Sequence, residues 1–135
     1  MAGLLTIEQG ARIRANFPTA VGETWKRGQV VYVDNTGVLR RYAGQFNVIP
    51  GLAGENCVSA ETGNARQDTN VVIAGQTGSI YYGEAVVVTD NLSGAGGWSA
   101  GASIVYGDSQ GNLTHTSGVG LPLGRSLSDP VSNGK

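Results

Sequence analysis

Short apolar runs alternate with glycine-bearing polar turns along most of this chain, and one such phrase occurs twice. Val30-Val31-Tyr32-Val33-Asp34-Asn35-Thr36-Gly37-Val38-Leu39 returns as Ile104-Val105-Tyr106-Gly107-Asp108-Ser109-Gln110-Gly111-Asn112-Leu113, with Tyr, Asp, Gly and Leu in register. A β-branched and aromatic run, then D-x-x-G, then an apolar residue predicts strand, tight turn, strand. The Asp side chain bonds its own downstream backbone, Gly supplies the positive φ, and Leu re-enters the core. A looser third copy, Val86-Val87-Val88-Thr89-Asp90-Asn91-Leu92-Ser93-Gly94, lies between them and predicts a third hairpin.

The first hairpin is expected over Gln29 to Asp34 and Val38 to Ala43, with Arg40 and Arg41 interrupting an otherwise apolar pair. Val48-Ile49-Pro50-Gly51-Leu52-Ala53 then reads as an apolar approach, a proline corner and a return, and Val119-Gly120-Leu121-Pro122-Leu123-Gly124 repeats that phrase after the second hairpin. The duplication therefore extends beyond the hairpin, over 28–54 and 102–127. Val71 to Ala74 and Ser79 to Tyr82 predict further strands, Glu61 to Thr69 an exposed loop, and Ser93 to Gly97 a flexible tip before Trp98. The tail from Asp129 to Lys135 has little to bury. Residues 1–27 differ: their apolar positions are irregular, and Gly10, Pro18 and Gly22 allow at best a short helix over Leu4 to Arg14. This stretch is expected to be an extended arm lying on its own domain or on a neighbour, because Phe17 and Trp25 are costly to leave in water. The expected architecture is all-β: one small Gly-rich β-barrel or β-sandwich of short antiparallel strands over 28–135, with that N-terminal arm.

Composition sharpens the picture. The 135 residues give room for one compact domain. The 22 glycines fall between apolar runs as turn punctuation. Charged residues make up 14 %, against a usual ~25 %, so much of the surface is neutral and suited to contact with other proteins. A net charge of -1 argues against nucleic acid, which requires a basic stripe. Small basic groups, Lys26-Arg27, Arg40-Arg41 and Arg12 with Arg14, fit solvated faces, local ion pairs or an acidic protein surface better than DNA. No apolar run is long enough to span a membrane, no secretion signal is visible, and a single cysteine fits a reducing cytoplasm.

Catalytic chemistry is sparse. His115 is the only histidine and reads as a half-buried or solvated strand residue; Cys57 reads as a small core residue. One His and one Cys cannot supply a zinc site. Asp34, Asp90 and Asp108 belong to turns, and the glutamates are scattered, which leaves no evident acid pair for hydrolysis. The glycine clusters have the wrong spacing for a dinucleotide or phosphate loop. Tyr81, Tyr82 and Trp98 could stack on sugars, although strand aromatics more often build cores. No enzyme activity, metal or cofactor is expected.

The phrase Lys26 to Arg40 followed by Val48 to Ala53 resembles the capsid decoration, or cement, proteins of tailed bacteriophages. Those often read G-x-x-V-x-x-D-x-x-G-x-V and then P-x-G-x-A. The stretch Gly118 to Leu127 resembles the same proline phrase. The resemblance implies a small β-barrel or sandwich, usually a homotrimer, that sits on the outer capsid surface, braces adjoining major capsid subunits and catalyses nothing. It also implies a protein made in the host cytoplasm and carried on the virion, binding neither nucleic acid nor membrane. The residues expected to meet a partner are Arg12, Arg14, Phe17, Trp25 and Arg40. The competing expectation is a phage tail, baseplate or receptor-binding module that recognises a glycan through Tyr81, Tyr82 and Trp98.

Overall fold

A computed structural model of the chain describes residues 5–10, 13–58, 71–83, 85–93 and 103–127. Every regular element among them is a strand. In chain order these are β1 (Leu5–Gly10), β2 (Ile13–Pro18), β3 (Val30–Val33), β4 (Leu39–Arg41), β5 (Pro50–Ala53), β6 (Asn56–Val58), β7 (Val71–Ile73), β8 (Thr77–Tyr82), β9 (Ala85–Thr89), β10 (Ile104–Gly107), β11 (Leu113–Thr114) and β12 (Pro122–Arg125). The all-β class expected from the sequence is the one observed.

The two sequence copies fold into the same unit. In the first, β3 lies between β4 and β5; in the second, β10 lies between β11 and β12. Each proline opens its strand opposite the tyrosine of its own copy, Pro50 facing Tyr32 and Pro122 facing Tyr106. A first-position proline suits a strand because it has no N–H to give to a ladder. The glycines also correspond: Gly51 faces Val31 and Gly124 faces Val105. The second copy has Leu123 between its proline and glycine, and the register shift between Val105 and Tyr106 absorbs that extra residue as a bulge.

The turns match bond for bond. In the first, the Asp34 N–H donates to the Val38 carbonyl (2.9 Å) and the Gly37 N–H to the Asp34 carbonyl (3.1 Å). The N–H groups of Thr36 and Val38 both reach Asp34 Oδ1. In the second, Asp108 donates to Asn112 (2.9 Å) and Gly111 to Asp108 (3.2 Å), while Gln110 and Asn112 reach Asp108 Oδ1. Gly37 and Gly111 have φ of 79° and 80°, the left-handed region that the turn requires and that a Cβ disfavours. The third copy differs. Its Asn91-Leu92 segment pairs with the return strand of the second copy, Leu92 bridging Leu113 in parallel, and the residues that would complete a third hairpin, from Gly94 on, lie outside the described residues.

β3 divides two cores because its neighbouring side chains point to opposite faces. Val31 belongs to a cluster with Trp25, Leu39, Ala53, Cys57 and Ile80, while Val30 belongs to a second cluster with Tyr42 and Leu113. Both valines are fully buried. The second cluster joins the two copies. Tyr42 is sealed from solvent, and its hydroxyl donates to the Gln45 carbonyl and accepts from the Leu121 N–H at 2.9 Å, across 79 positions of chain. Glycine is required where the second copy receives it. A Cβ on Gly107 would lie 2.9 Å from the Tyr42 ring, and one on Gly120 would lie 1.9 Å from the Gly107 carbonyl oxygen.

The described part of 1–27 is woven into its own chain. β1 pairs antiparallel with β9, and β2 pairs antiparallel with β8 as one edge of a five-stranded sheet ordered β2-β8-β5-β3-β4. Where the sequence allowed at best a short helix over Leu4 to Arg14, the described residues form strands: Gly10 stands at the end of β1 with φ 79°, and each strand finds a long-range partner that overrides local preference. Thr19 bridges Leu39, so the two edges of the five-stranded sheet touch at one pair. That curls the sheet around the Trp25 cluster, and no closed barrel is found among the described residues. The expected exposed loop at Glu61 to Thr69, the glycine tip with Trp98, and the tail from Asp129 lie outside the described residues.

Candidate functional site

The residues expected to meet a partner do not converge. Trp25 is 5 % exposed, exchanges backbone hydrogen bonds with Cys57, and sits in the first core, so its indole holds the fold together instead of lying on a surface. Phe17, on β2, is half-buried against the same core. Arg40, on β4, directs its Nε to Asp34 Oδ2 at 2.6 Å, with Glu23 at 3.7 Å. The Thr36 hydroxyl, Arg40 and the Val38 N–H hold the Asp34 carboxyl well below the usual carboxylate range, and Asp34 in turn raises Arg40. Arg40 is thus a brace for the first turn. Arg12 lies outside the described residues.

Arg14 is different, because it faces an open cleft of about 270 Å³ lined by Leu5, Ile7, Arg14, Arg27, Gly54, Glu55 and Tyr81. β2 places Arg14 directly across from Tyr81 on β8, and the guanidinium lies over the tyrosine ring, 5.5 Å from its centroid. Nη2 of Arg14 is 3.2 Å from Glu55 Oε1. Glu55 is anchored from beneath: Ser79 donates its N–H at 3.0 Å to Oε2, and its hydroxyl lies 2.7 and 2.9 Å from the two carboxylate oxygens. Gly54 makes this close approach possible, since a Cβ there would stand 2.2 Å from the Ser79 hydroxyl oxygen. The backbone around Arg27 is pinned by Asn56 Oδ1, which accepts its N–H, and by Asn91 Nδ2, which donates to its carbonyl.

Glu55 was not legible as a site residue, because it is a lone glutamate brought to Arg14 only by the pairing of β2, β8 and β5. The sugar-stacking expectation divides: Tyr81 lines the cleft, Tyr82 packs on the first core with its hydroxyl pKa raised by burial, and Trp98 lies outside the described residues. Cys57 is 2 % exposed, and burial pushes its thiol up to about 11. His115 is half-buried beyond β11; Leu113 and Thr114 are both buried because β11 is flanked by β10 on one side and Leu92 on the other. Among the described residues no three His, Cys, Asp or Glu side chains cluster as metal ligands.

Large apolar side chains stand exposed elsewhere. Phe46 and Ile49 are 63 % and 75 % exposed in the segment between β4 and β5, and Val21 and Leu127 are also open. Val119 lies beside the start of that segment, its carbonyl 2.9 Å from where a Cβ on Gly44 would be. No family model matches this chain, and no curated protein or solved structure matches it.

Proposed function

We propose that this chain is a non-catalytic structural protein that decorates the outer surface of a tailed-phage capsid, as a homotrimer, and stabilises contacts between major capsid subunits. The observation that carries the reading is the combination of a stiff duplicated frame with uncovered apolar side chains. Tyr42, Gly107 and Gly120 lock the two units together, and Phe46 and Ile49 are left displayed on the connection between strands of the first unit. Exposed apolar side chains on a rigid, weakly charged frame suit protein contact. Binding across a seam of the assembled shell, but not to separate subunits, stabilises the shell by mass action. The resemblance of Lys26 to Ala53 and Gly118 to Leu127 to cement proteins supplies the identity of the shell.

The test is co-sedimentation with assembled empty capsids and with unassembled capsid protein, alongside the mass of the free oligomer. Saturable binding to shells alone, weakened at least tenfold by Phe46→Ser with Ile49→Ser, is the expected result. Equal binding by the double variant removes the role of this surface, and no binding to shells removes the reading. A glycan-recognising tail or receptor-binding module is the second reading, favoured by the Tyr81 ring at the cleft. Saturable sugar binding lost in Tyr81→Ala would establish it in place of the first.

A further inference from the structure

The contact that joins the two copies of the repeat has a converse that stays open within one chain. We infer that this converse contact forms between chains: the exposed side of β10, marked by Ile104, receives the Phe46 to Ile49 segment of a second copy of the protein.

Within one chain the contact has two halves. The first is Val30, which opens β3 and is fully buried in a cluster with Tyr42 and Leu113. The second is Leu121, the residue before the strand-opening proline of the second copy, which packs against that cluster and donates its N–H to the Tyr42 hydroxyl oxygen at 2.9 Å. The repeat supplies each half once more. Ile104 opens β10 as Val30 opens β3, and Ile49 precedes Pro50 as Leu121 precedes Pro122. Yet Ile104 is 43 % exposed and Ile49 is 75 % exposed, so this second pair of halves remains uncovered in the single chain.

The segment that carries Ile49 is held ready. Gln45 accepts the Tyr42 hydroxyl at its carbonyl, accepts the Ala43 N–H at Oε1 (2.9 Å) and donates Nε2 to the Tyr32 hydroxyl (3.1 Å), which pins the base from which Phe46 and Ile49 project. A segment already fixed loses little freedom on docking. On the receiving side, Pro122 on the neighbouring strand β12 is exposed and Leu127 beyond it is 69 % exposed, which widens the apolar surface around Ile104. Charge favours a copy of the same chain: no charged residue stands between Tyr42 and Gly54, and with a net charge of -1 two copies repel each other little. A contact that joins different surfaces of identical chains runs head to tail and closes into a ring where the rotation allows. The inference rests on the self-association in the proposed function and not on the capsid. The weaker shell binding expected of Phe46→Ser with Ile49→Ser then follows from lost multivalency.

The test is sedimentation of the full chain with no capsid present, where the expected species is a trimer. Ile49→Ser and Ile104→Ser should each weaken association about tenfold or more while the circular dichroism spectrum stays that of the folded protein, because both side chains are exposed in the single chain. Val21→Ser, at a position 85 % exposed elsewhere, should leave association unchanged. An equimolar mixture of Ile49→Ser with Ile104→Ser should regain dimers, since each variant keeps the half that the other lacks. A wild-type chain still monomeric at about 1 mM, association that survives either substitution, a mixture no larger than its parts, or an equal loss in Val21→Ser would overturn the inference. Shells left unbound by an intact trimer would remove the capsid reading and leave this contact standing, and a dimer that depends on both residues would keep the contact and remove only the trimer.

Discussion

The two copies of the repeat share a turn but are used differently. Asp34 and Asp108 bind the same backbone groups, and Gly37 and Gly111 have the same φ within a degree. Yet Gly37 would place a Cβ in open space, whereas Gly111 would press one to 3.0 Å from the Val30 carbonyl oxygen and the Arg41 side chain. The Gly111 carbonyl also accepts the Val30 N–H at 2.7 Å, which ties the second turn to the first unit. In the other direction, Arg40 and the Thr36 hydroxyl reinforce Asp34, while Thr114 and Gln110 stand at the matching positions of the second copy. The first turn is stiffened by its own side chains, and the second by being packed against its sister. Duplication supplied two equal turns, and packing then gave them unequal roles.

Five substitutions would break or sharpen this contrast. The largest effect is expected at the seam between the copies. Gly120→Ala forces a Cβ against the Gly107 carbonyl, and overpacking of rigid backbone should cost about 3 kcal/mol or more by chemical denaturation. A cost below about 1 kcal/mol would mean that the two units are not tightly locked. The paired turn glycines come next. Gly37→Ala should cost about 1–2 kcal/mol, from the left-handed backbone alone. Gly111→Ala should cost about 1 kcal/mol more, because the same backbone penalty is joined by crowding. Equal losses would remove the difference in packing.

The smallest and most selective effect concerns pH. Asparagine keeps an Oδ1 acceptor, so Asp34→Asn mainly removes the charge facing Arg40. Because the folded Asp34 carboxyl titrates below its unfolded value of about 3.9, its ionised form stabilises the protein above that pH, and the contribution fades as pH falls further. Thermal melts should show Asp34→Asn less stable than wild type at pH 7, with the gap narrowing below about pH 4. Asp108→Asn, with no arginine at the matching position, should lower the melting temperature less at pH 7. A gap for Asp34→Asn that is constant with pH would show that the ion pair contributes nothing.

Trp25 and Arg14 show why a site was harder to read than the fold. Both were expected to meet a partner. Trp25 instead became a core residue once the β6 backbone paired with it, while Arg14 acquired Tyr81 and Glu55 as neighbours only when β2 and β5 lined up on β8. Nothing near Glu55 in the chain marks it as a neighbour of Arg14. Phe46 and Ile49 carry a similar lesson, since nothing within a few residues of them shows that the fold leaves them outside.

The amino-acid order alone determined the D-x-x-G turns and the all-β class, because those depend on groups within a few residues of one another: a carboxylate capping nearby N–H groups, and a glycine able to take positive φ. It could not determine that β1 and β2 are strands, that Asn91-Leu92 pairs with the second copy, or that Tyr42 packs against both Gly107 and Gly120. Those outcomes depend on which distant segments bury one another's apolar faces and satisfy one another's backbone groups, a choice that only the assembled tertiary structure makes.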